Sequence, residues 1–196
     1  MFTGIITHTG TVAQKARTTL RVRAGRDVVR ALKKGGSIAV DGVCLTVTGK
    51  TGDSFSADVM PETFTRMNVS SLTAKSIVNL ELPASPQTFL SGHIVQGHVD
   101  AVGIVKGIKK EGNQFTLSIS VPKRISRYIV SKGSITVNGV SLTVIDAKQG
   151  SFSVGVIPHT WKSTMFKTLK PKSVVNIEVD ILAKYVENLL VKNKYI

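Results

Sequence analysis

The sequence predicts an all-β protein built by tandem duplication of one small barrel and finished by a C-terminal helix. Three observations predict it. Long stretches of the first half return, in order, in the second half. Within each half, short runs rich in Val, Ile, Thr and Phe alternate with Gly, Asn and Asp turns. The last residues break that pattern with an apolar stripe at helical spacing.

The duplication is read directly. Residues 36–47 (GSIAVDGVCLTV) reappear as 133–144 (GSITVNGVSLTV), and 54–64 (SFSADVMPETF) as 151–161 (SFSVGVIPHTW). Residues 75–81 (KSIVNLE) return at the same offset as 172–178 (KSVVNIE). Gly4 and Gly10 match Gly97 and Gly103 at a slightly shorter offset, so one loop differs in length. Two copies are too few for a solenoid, and each is large enough to close on itself. The division that follows is a first barrel over 1–93, a second over 94–180 and a helix over 181–196.

Taken in order, Asp41-Gly42 and Asn138-Gly139 lie between apolar runs and predict tight hairpins. Residues 50–53 and 110–113 read as further turns. Brief helices are expected over 27–34 and 122–130, where Pro122 suits a first helical turn; each leads into a Gly-Ser-Ile strand. At the C-terminus Ile181, Leu182, Tyr185, Val186, Leu189 and Leu190 form one stripe, with Asp180 where an N-cap belongs. The stripe suits a neighbouring subunit and the chain's own barrel equally well.

Composition sets bounds. The chain has 196 residues, 42% of them hydrophobic, enough to bury a core. No apolar run approaches the roughly 20 residues that span a bilayer, and the N-terminus lacks a signal-peptide pattern. The one cysteine, Cys44, excludes an internal disulfide and fits a reducing cytoplasm; a plastid protein without its transit segment reads the same way. His8, His93, His98 and His159 show no metal-ligand spacing beyond the His93/His98 pair, and no metal is expected. The net charge of +14 invites a polyanion, but basic residues are spread along the chain and only 6% of residues are aromatic. A soluble basic surface is the better reading, and nucleic acid is not an expected partner.

Eight segments carry a family resemblance: 1–5 (MFTGI), 42–47 (GVCLTV), 60–63 (MPET), 92–100 (GHIVQGHVD), 132–135 (KGSI), 139–144 (GVSLTV), 157–160 (IPHT) and 175–180 (VNIEVD). Together, in this order and in both halves, they resemble the riboflavin synthase family. The resemblance implies six-stranded Greek-key barrels, a homotrimer, and the dismutation of two 6,7-dimethyl-8-ribityllumazine molecules without cofactor or metal. Two substrates would meet between the first barrel of one subunit and the second barrel of its neighbour. Positioning two flat rings face to face makes a bimolecular step effectively unimolecular. The acidic 7-methyl group then needs only modest base help and donors for the developing anion.

By the same resemblance the catalytic candidates are Cys44, Ser141, His98, Asp180, Ser37 and Thr143. Cys44 and Ser141 occupy one place in the two copies, which argues for a polar, ligand-facing position over inert core packing. His98 corresponds to Ile5, so the fold does not require it. Asp180 is both helix cap and site candidate, with Pro83 as its counterpart. Ser37 matches Ser134, which also suits a turn role. Substrate contacts are implied at Phe2, Gly4, Ile5 and Ile6; at Val43, Leu45 and Thr46; and at Asp58, Val59, Met60, Pro61, Glu62 and Thr63. In the second copy they fall on Gly97, Val99, Lys132 and Leu142, then Val156, Ile157, Pro158, His159, Thr160 and Trp161. Phe2 either stacks on a ligand ring or packs in the core, and Lys132 either reaches a neighbour's ligand or is solvated. His93 reads as structural. The alternation around Gly-x-Cys/Ser-Leu-Thr and Val-x-Pro-x-Thr is read as two strands presenting polar atoms to one face.

Two departures stand out: residues 83–91 (PASPQTFLS) replace a stretch usually charged and ending in a doubled glycine, and Met67 replaces a commoner threonine. Non-catalytic lumazine or flavin carriers of bioluminescence resemble the same double barrel with eroded motifs. The presence of 92–100, Cys44, Ser141 and Asp180 here favours catalysis.

Overall fold

The computed structural model describes residues 1–16, 18–60 and 68–192. In the first copy β1 (His8–Lys15), β2 (Thr19–Arg23), β3 (Ser37–Val40), β4 (Val43–Lys50), β5 (Ser54–Asp58) and β6 (Ile77–Glu81) close into an antiparallel barrel ordered β1-β2-β5-β4-β3-β6. The second copy has β7 (Ala101–Glu111), β8 (Gln114–Ser120), β9 (Ser134–Val137), β10 (Val140–Lys148), β11 (Ser151–Val156) and β12 (Val174–Val179), closed in the same cyclic order. The expected tandem of six-stranded barrels is therefore present. Closure is made by β1 on β6 and by β7 on β12. Bulges between Val47 and Gly49 and between Val144 and Asp146 recur at equivalent places. They supply the bend that a small barrel needs.

Alternation sorts the side chains. On β4, Val43, Leu45 and Val47 are buried in the first core while Cys44, Thr46 and Thr48 face outward. Each barrel has its own apolar cluster, around Leu20, Ile38, Phe55 and Leu80 in the first and Leu117, Ile119, Ile135, Val154 and Ile177 in the second. Three residues cross over: Ile6 and Ile77 pack on the second cluster and Val99 on the first.

Asp41 and Gly42 have φ of 47° and 77°, and Asn138 and Gly139 have 46° and 78°. Both pairs thus form the tight turns that their sequence predicts. The two turns also meet: a Cβ on Gly42 would lie 2.6 Å from the Gly139 nitrogen, and one on Gly139 2.7 Å from the Gly42 nitrogen. Around this contact lies a buried polar network. The Asn79 amide donates to the Asn138 carbonyl, and its oxygen accepts from the Met165 N–H. Asn176 does the mirror-image task, donating to the Asp41 carbonyl and accepting from the Asn68 N–H. The Asn68 amide bridges the two turns, reaching the Asp41 carboxylate and the Asn138 side-chain oxygen, each at 3.1 Å. Among the described residues no buried side-chain polar atom lacks a partner.

The helices are shorter than the sequence suggests. α1 spans Arg26–Ala31 and α2 only Lys123–Ser126, with Pro122 just before it instead of inside it. Beyond α2 the chain continues through turn bonds from Tyr128 to Ile125 and from Ile129 to Ser126, which drop Ile125 and Ile129 into the barrel mouth. A second correction concerns Val-x-Pro-x-Thr. In the second copy β11 stops at Val156 and α3 (Pro158–Ser163) follows, with Pro158 at its first position. A proline cannot donate to a sheet ladder and its fixed φ starts a helix, so the strand reading fails there. The equivalent residues of the first copy, with Pro61, Glu62, Thr63 and Met67, lie outside the described residues.

α4 (Ile181–Lys192) is the C-terminal helix. The Asp180 carboxylate caps it, accepting from the Leu182 N–H at 3.0 Å, an interaction that contributes about 1 kcal/mol. The helix holds its own barrel through polar groups. Lys184 pairs with Asp100 at 2.7 Å, and Glu187 accepts from the Tyr128 hydroxyl and pairs with Arg127. Leu182, Tyr185 and Val186 remain more than half exposed. Among the described residues no helix is long and apolar enough to cross a membrane.

Burial pushes the Asp41 carboxyl up to about 7 against the bonds from Asn79 and Asn68 that favour its charge. A carboxyl that holds its proton more tightly folded than unfolded subtracts stability as pH rises from the unfolded range, and the loss is complete above the folded value. Asp41→Asn installs the residue of the equivalent position and removes this dependence. The variant's melting temperature relative to the parent should climb between pH 5 and pH 8, by an amount worth roughly 2 to 4 kcal/mol. Circular-dichroism melts at the two pH values test it; an unchanged difference refutes it.

Candidate functional site

The outer face of β4 carries a polar row. Thr46 lies opposite Ser37 on β3 and opposite Asp58 on β5, so these three side chains share one side of the sheet, with Cys44 beside them. The equivalent face of the second barrel pairs Thr143 with Ser134 and carries Ser141. Thr46, Thr143 and Asp58 are exposed, and Cys44 and Ser141 are half-buried.

Each ledge is roofed by a segment belonging to the other copy. Phe2 and Val95 form an antiparallel bridge through N–H···O bonds of 2.7 and 3.2 Å. They occupy equivalent places in the two copies, as local two-fold symmetry requires. From that bridge the chain runs over Ser141 on one side and over Cys44 on the other. The Gly4 carbonyl accepts from the Ser141 N–H at 2.8 Å, and the Gly97 carbonyl from the Cys44 N–H at 2.9 Å. Both glycines have positive φ, 76° and 79°, and a Cβ on either would lie 2.7 Å from the Cβ beneath it. Sequence and packing demand glycine here twice over.

Two buried glutamates at the ends of the closing strands hold these segments. Glu81 accepts from the Thr3 and Gly4 N–H groups at 2.6 and 3.0 Å, and from the Thr3 hydroxyl. Glu178 accepts from the Gln96 and Gly97 N–H groups at 2.7 and 3.0 Å. Burial raises both carboxyls above their usual range, against those bonds.

The ledges also differ through a histidine. His93, which reads as structural in the sequence, is buried with its Nδ1 2.8 Å from the Ser141 hydroxyl. Burial lowers its pKa, and the nearby charge of Asp180 opposes that shift. A neutral imidazole therefore faces a hydroxyl, with a carboxylate within electrostatic reach. The only sequence signal for this is the His93/His98 spacing, because the repeat provides no equivalent of His93 for comparison.

The remaining candidates fall into three settings. Val43, Leu45, Val59 and Val156 point into the cores, and Leu142 is half-buried against the second core. Phe2 is wholly buried with Ala39, Val95 and Cys44, so its ring serves the bridge rather than an open stacking surface. Ile5, His98, Met60, Ile157, His159 and Lys132 are exposed, and Lys132 takes a positive φ of 67° in the turn before β9. Trp161 on α3 stacks on Phe115 with centroids 4.0 Å apart, and Pro158 and Thr160 are half-buried nearby on the same helix. The departing segment 83–91 is exposed throughout, with Phe89 87% exposed, and borders a cavity of about 340 Å³ lined in part by Ile5, Glu81 and Phe89.

The family model described as the lumazine binding domain matches twice, over residues 3–83 and 96–180. A riboflavin synthase of Actinobacillus pleuropneumoniae is 42% identical over 98% of this chain and 91% of its own length. The chain belongs to the riboflavin synthase family. A riboflavin synthase of Mycobacterium tuberculosis is 44% identical over 97% of this chain and 98% of the relative. One of Bacillus amyloliquefaciens is 40% identical over 99% and 92%. Among solved structures, LumP in complex with 6,7-dimethyl-8-ribityllumazine superposes with a TM-score of 0.81 at 25% identity, covering 91% of this chain and 99% of that one. LumP with riboflavin gives 0.83 at 26% identity over the same shares. The riboflavin synthase fold of this chain is thus a pair of lumazine-binding barrels facing each other across one local axis.

Gly97→Ala should lower stability by about 2 kcal/mol, because it strains the backbone and forces the roof off Cys44. Gly107→Ala, where a Cβ meets nothing within 4 Å, should be nearly neutral. Equal melting temperatures for the two variants would contradict this account.

Proposed function

We propose that the protein catalyses the dismutation of two 6,7-dimethyl-8-ribityllumazine molecules. One gives a four-carbon unit to the other, forming riboflavin and 5-amino-6-ribitylamino-pyrimidinedione; carbon balances without a cofactor. The observation that carries the reading is the pair of equivalent roofed ledges, one built around Cys44 and one around Ser141, each sized by the same strands and glycines. Two like pockets suit two like substrates. The names of the relatives along almost the whole chain support the same reaction.

In this reading the chain divides into a first barrel over 1–93, a second over 94–180 and a helix over 181–196. The first ledge offers Cys44, Ser37, Thr46 and Asp58 to one ring, with Gly97, His98 and Val99 above it. The second offers Ser141 and Thr143, with Gly4, Ile5 and Ile6 above it. His98, exposed at the lip, and His93, beside Ser141, are the available imidazoles. His93 is neutral at ordinary pH because burial depresses its pKa, so it can take a proton relayed by the Ser141 hydroxyl. Backbone N–H groups and the threonine hydroxyls supply donors for the developing carbanion. The exposed apolar stripe of α4 supports a homotrimer, in which the first barrel of one subunit faces the second barrel of its neighbour. A lone reduced Cys44 accords with a cytoplasmic enzyme.

The test is direct. Protein mixed with 6,7-dimethyl-8-ribityllumazine should produce the absorbance of riboflavin, and Cys44→Ala and Ser141→Ala should each slow it by roughly tenfold or more. Ligand binding with no riboflavin formed would instead identify a carrier. The pH–rate profile should keep its activity to below the ordinary histidine range near 6.5, since the depressed His93 charges only there. An acid limb above that range would exclude His93 as the base.

A further inference from the structure

The two roofs are not held alike. The second copy's roof, residues 95–99, ends at Asp100, and Asp100 is tied on three sides. Its N–H donates to the Ile177 carbonyl at 2.8 Å, its Oδ2 accepts from the Val179 N–H at 3.0 Å, and its Oδ1 meets Lys184 Nζ at 2.7 Å. Both partners of that ion pair are largely shielded, with 28% and 20% of their side chains exposed, unlike the surface pairs elsewhere. The Arg124 guanidinium adds a bond to the Asp100 carbonyl. In the first copy Thr7 stands at the place of Asp100, Pro83 at that of Asp180, and no helix follows.

We propose that Lys184 and Asp100 form a positioning pair through which α4 fixes the roof over Cys44, making the first pocket the preorganised one of the two. The path is short and continuous. Lys184 holds Asp100; Asp100, at the end of the 96–100 stretch, is bonded to the Ile177 carbonyl and the Val179 N–H of β12; Glu178 of the same strand takes the Gln96 and Gly97 N–H groups; and the Gly97 carbonyl takes the Cys44 N–H. Lys184 also serves Glu178. Burial raises the Glu178 carboxyl, the Asp100 charge raises it further, and Lys184 offsets that second effect. Without Lys184, two carboxylates would face each other beside the roof. The pair uses the polar side of α4, so Leu182, Tyr185 and Val186 stay available on the other.

This inference concerns the pocket of the proposed reaction, but its decisive readout does not depend on turnover. Lys184→Met keeps an unbranched side chain, one atom shorter, and removes the charge. In hydrogen exchange of the full-length protein, the Cys44 and Gly97 amides should exchange roughly fivefold faster, while the Ser141 and Gly4 amides hold the parental rate. KM for 6,7-dimethyl-8-ribityllumazine should rise several-fold with kcat changed less, and Lys184→Arg should restore both. Parental exchange at Cys44 in Lys184→Met overturns the proposal. So does equal acceleration at Cys44 and Ser141, which means general loosening, or a changed sedimentation coefficient, which means an assembly role. A Lys184→Arg variant that behaves like the methionine variant also overturns it. If the parent forms no riboflavin, only the reading of the reaction fails, and the exchange data still decide the clamp.

Discussion

Two hairpin tips, Asp41-Gly42 and Asn138-Gly139, touch backbone to backbone at the centre of the molecule. That approach is possible only without Cβ atoms, and it brings polar turn groups into a buried seam where each must be satisfied. Asn79, Asn176 and Asn68 satisfy them by reaching across, never within their own barrel alone. Everything else follows from the resulting fixed orientation. It sets Gly4 above Ser141 and Gly97 above Cys44, and it places Phe2 against Val95. The seam thereby holds the opposite copy's segment over each ledge.

Near-symmetry is then broken at a few chosen places. Asp41 faces Asn138, and Asn68 has Met165 as its counterpart, its sulfur accepting from the Asn138 amide. The seam therefore joins unlike halves and encloses a single titrating carboxyl. Ser141 has a buried imidazole within hydrogen-bond distance, whereas the roof of Cys44 is anchored to a helix. These are differences of chemistry laid over one geometry. A dismutation of two identical molecules needs that arrangement, since one substrate must give what the other receives.

The duplication, the strands and both tight turns were legible because each has a local cause: β-branched alternation, or an Asp-Gly or Asn-Gly pair. The segment after Val156 was not, because alternation there continues through Pro158 while the proline decides the structure. The helix stripe of Leu182, Tyr185 and Val186 was visible, but its outward orientation depends on Lys184 and Glu187 finding Asp100, Tyr128 and Arg127, far away in sequence. Cys44 and Ser141 stood out as candidates through the repeat, and Thr46 and Thr143 through the family resemblance. His93 was not, since its importance comes from proximity to Ser141, 48 residues on. Phe2, at an end of the chain where loose packing is ordinary, is among the most buried residues because Val95 and Ala39 enclose it.

Reciprocal crossing of the two roof segments also changes what the connection between barrels has to do. Each half already grips the other through glutamate-held strands and the asparagine seam, so the covalent tether at 83–91 carries little of that duty. Its residues are exposed throughout, and its hydrogen bonds are largely local, as between Ser85 and Thr88. Divergence can accumulate in this stretch, and an exposed Phe89 can be tried there, without loosening the union of the two barrels.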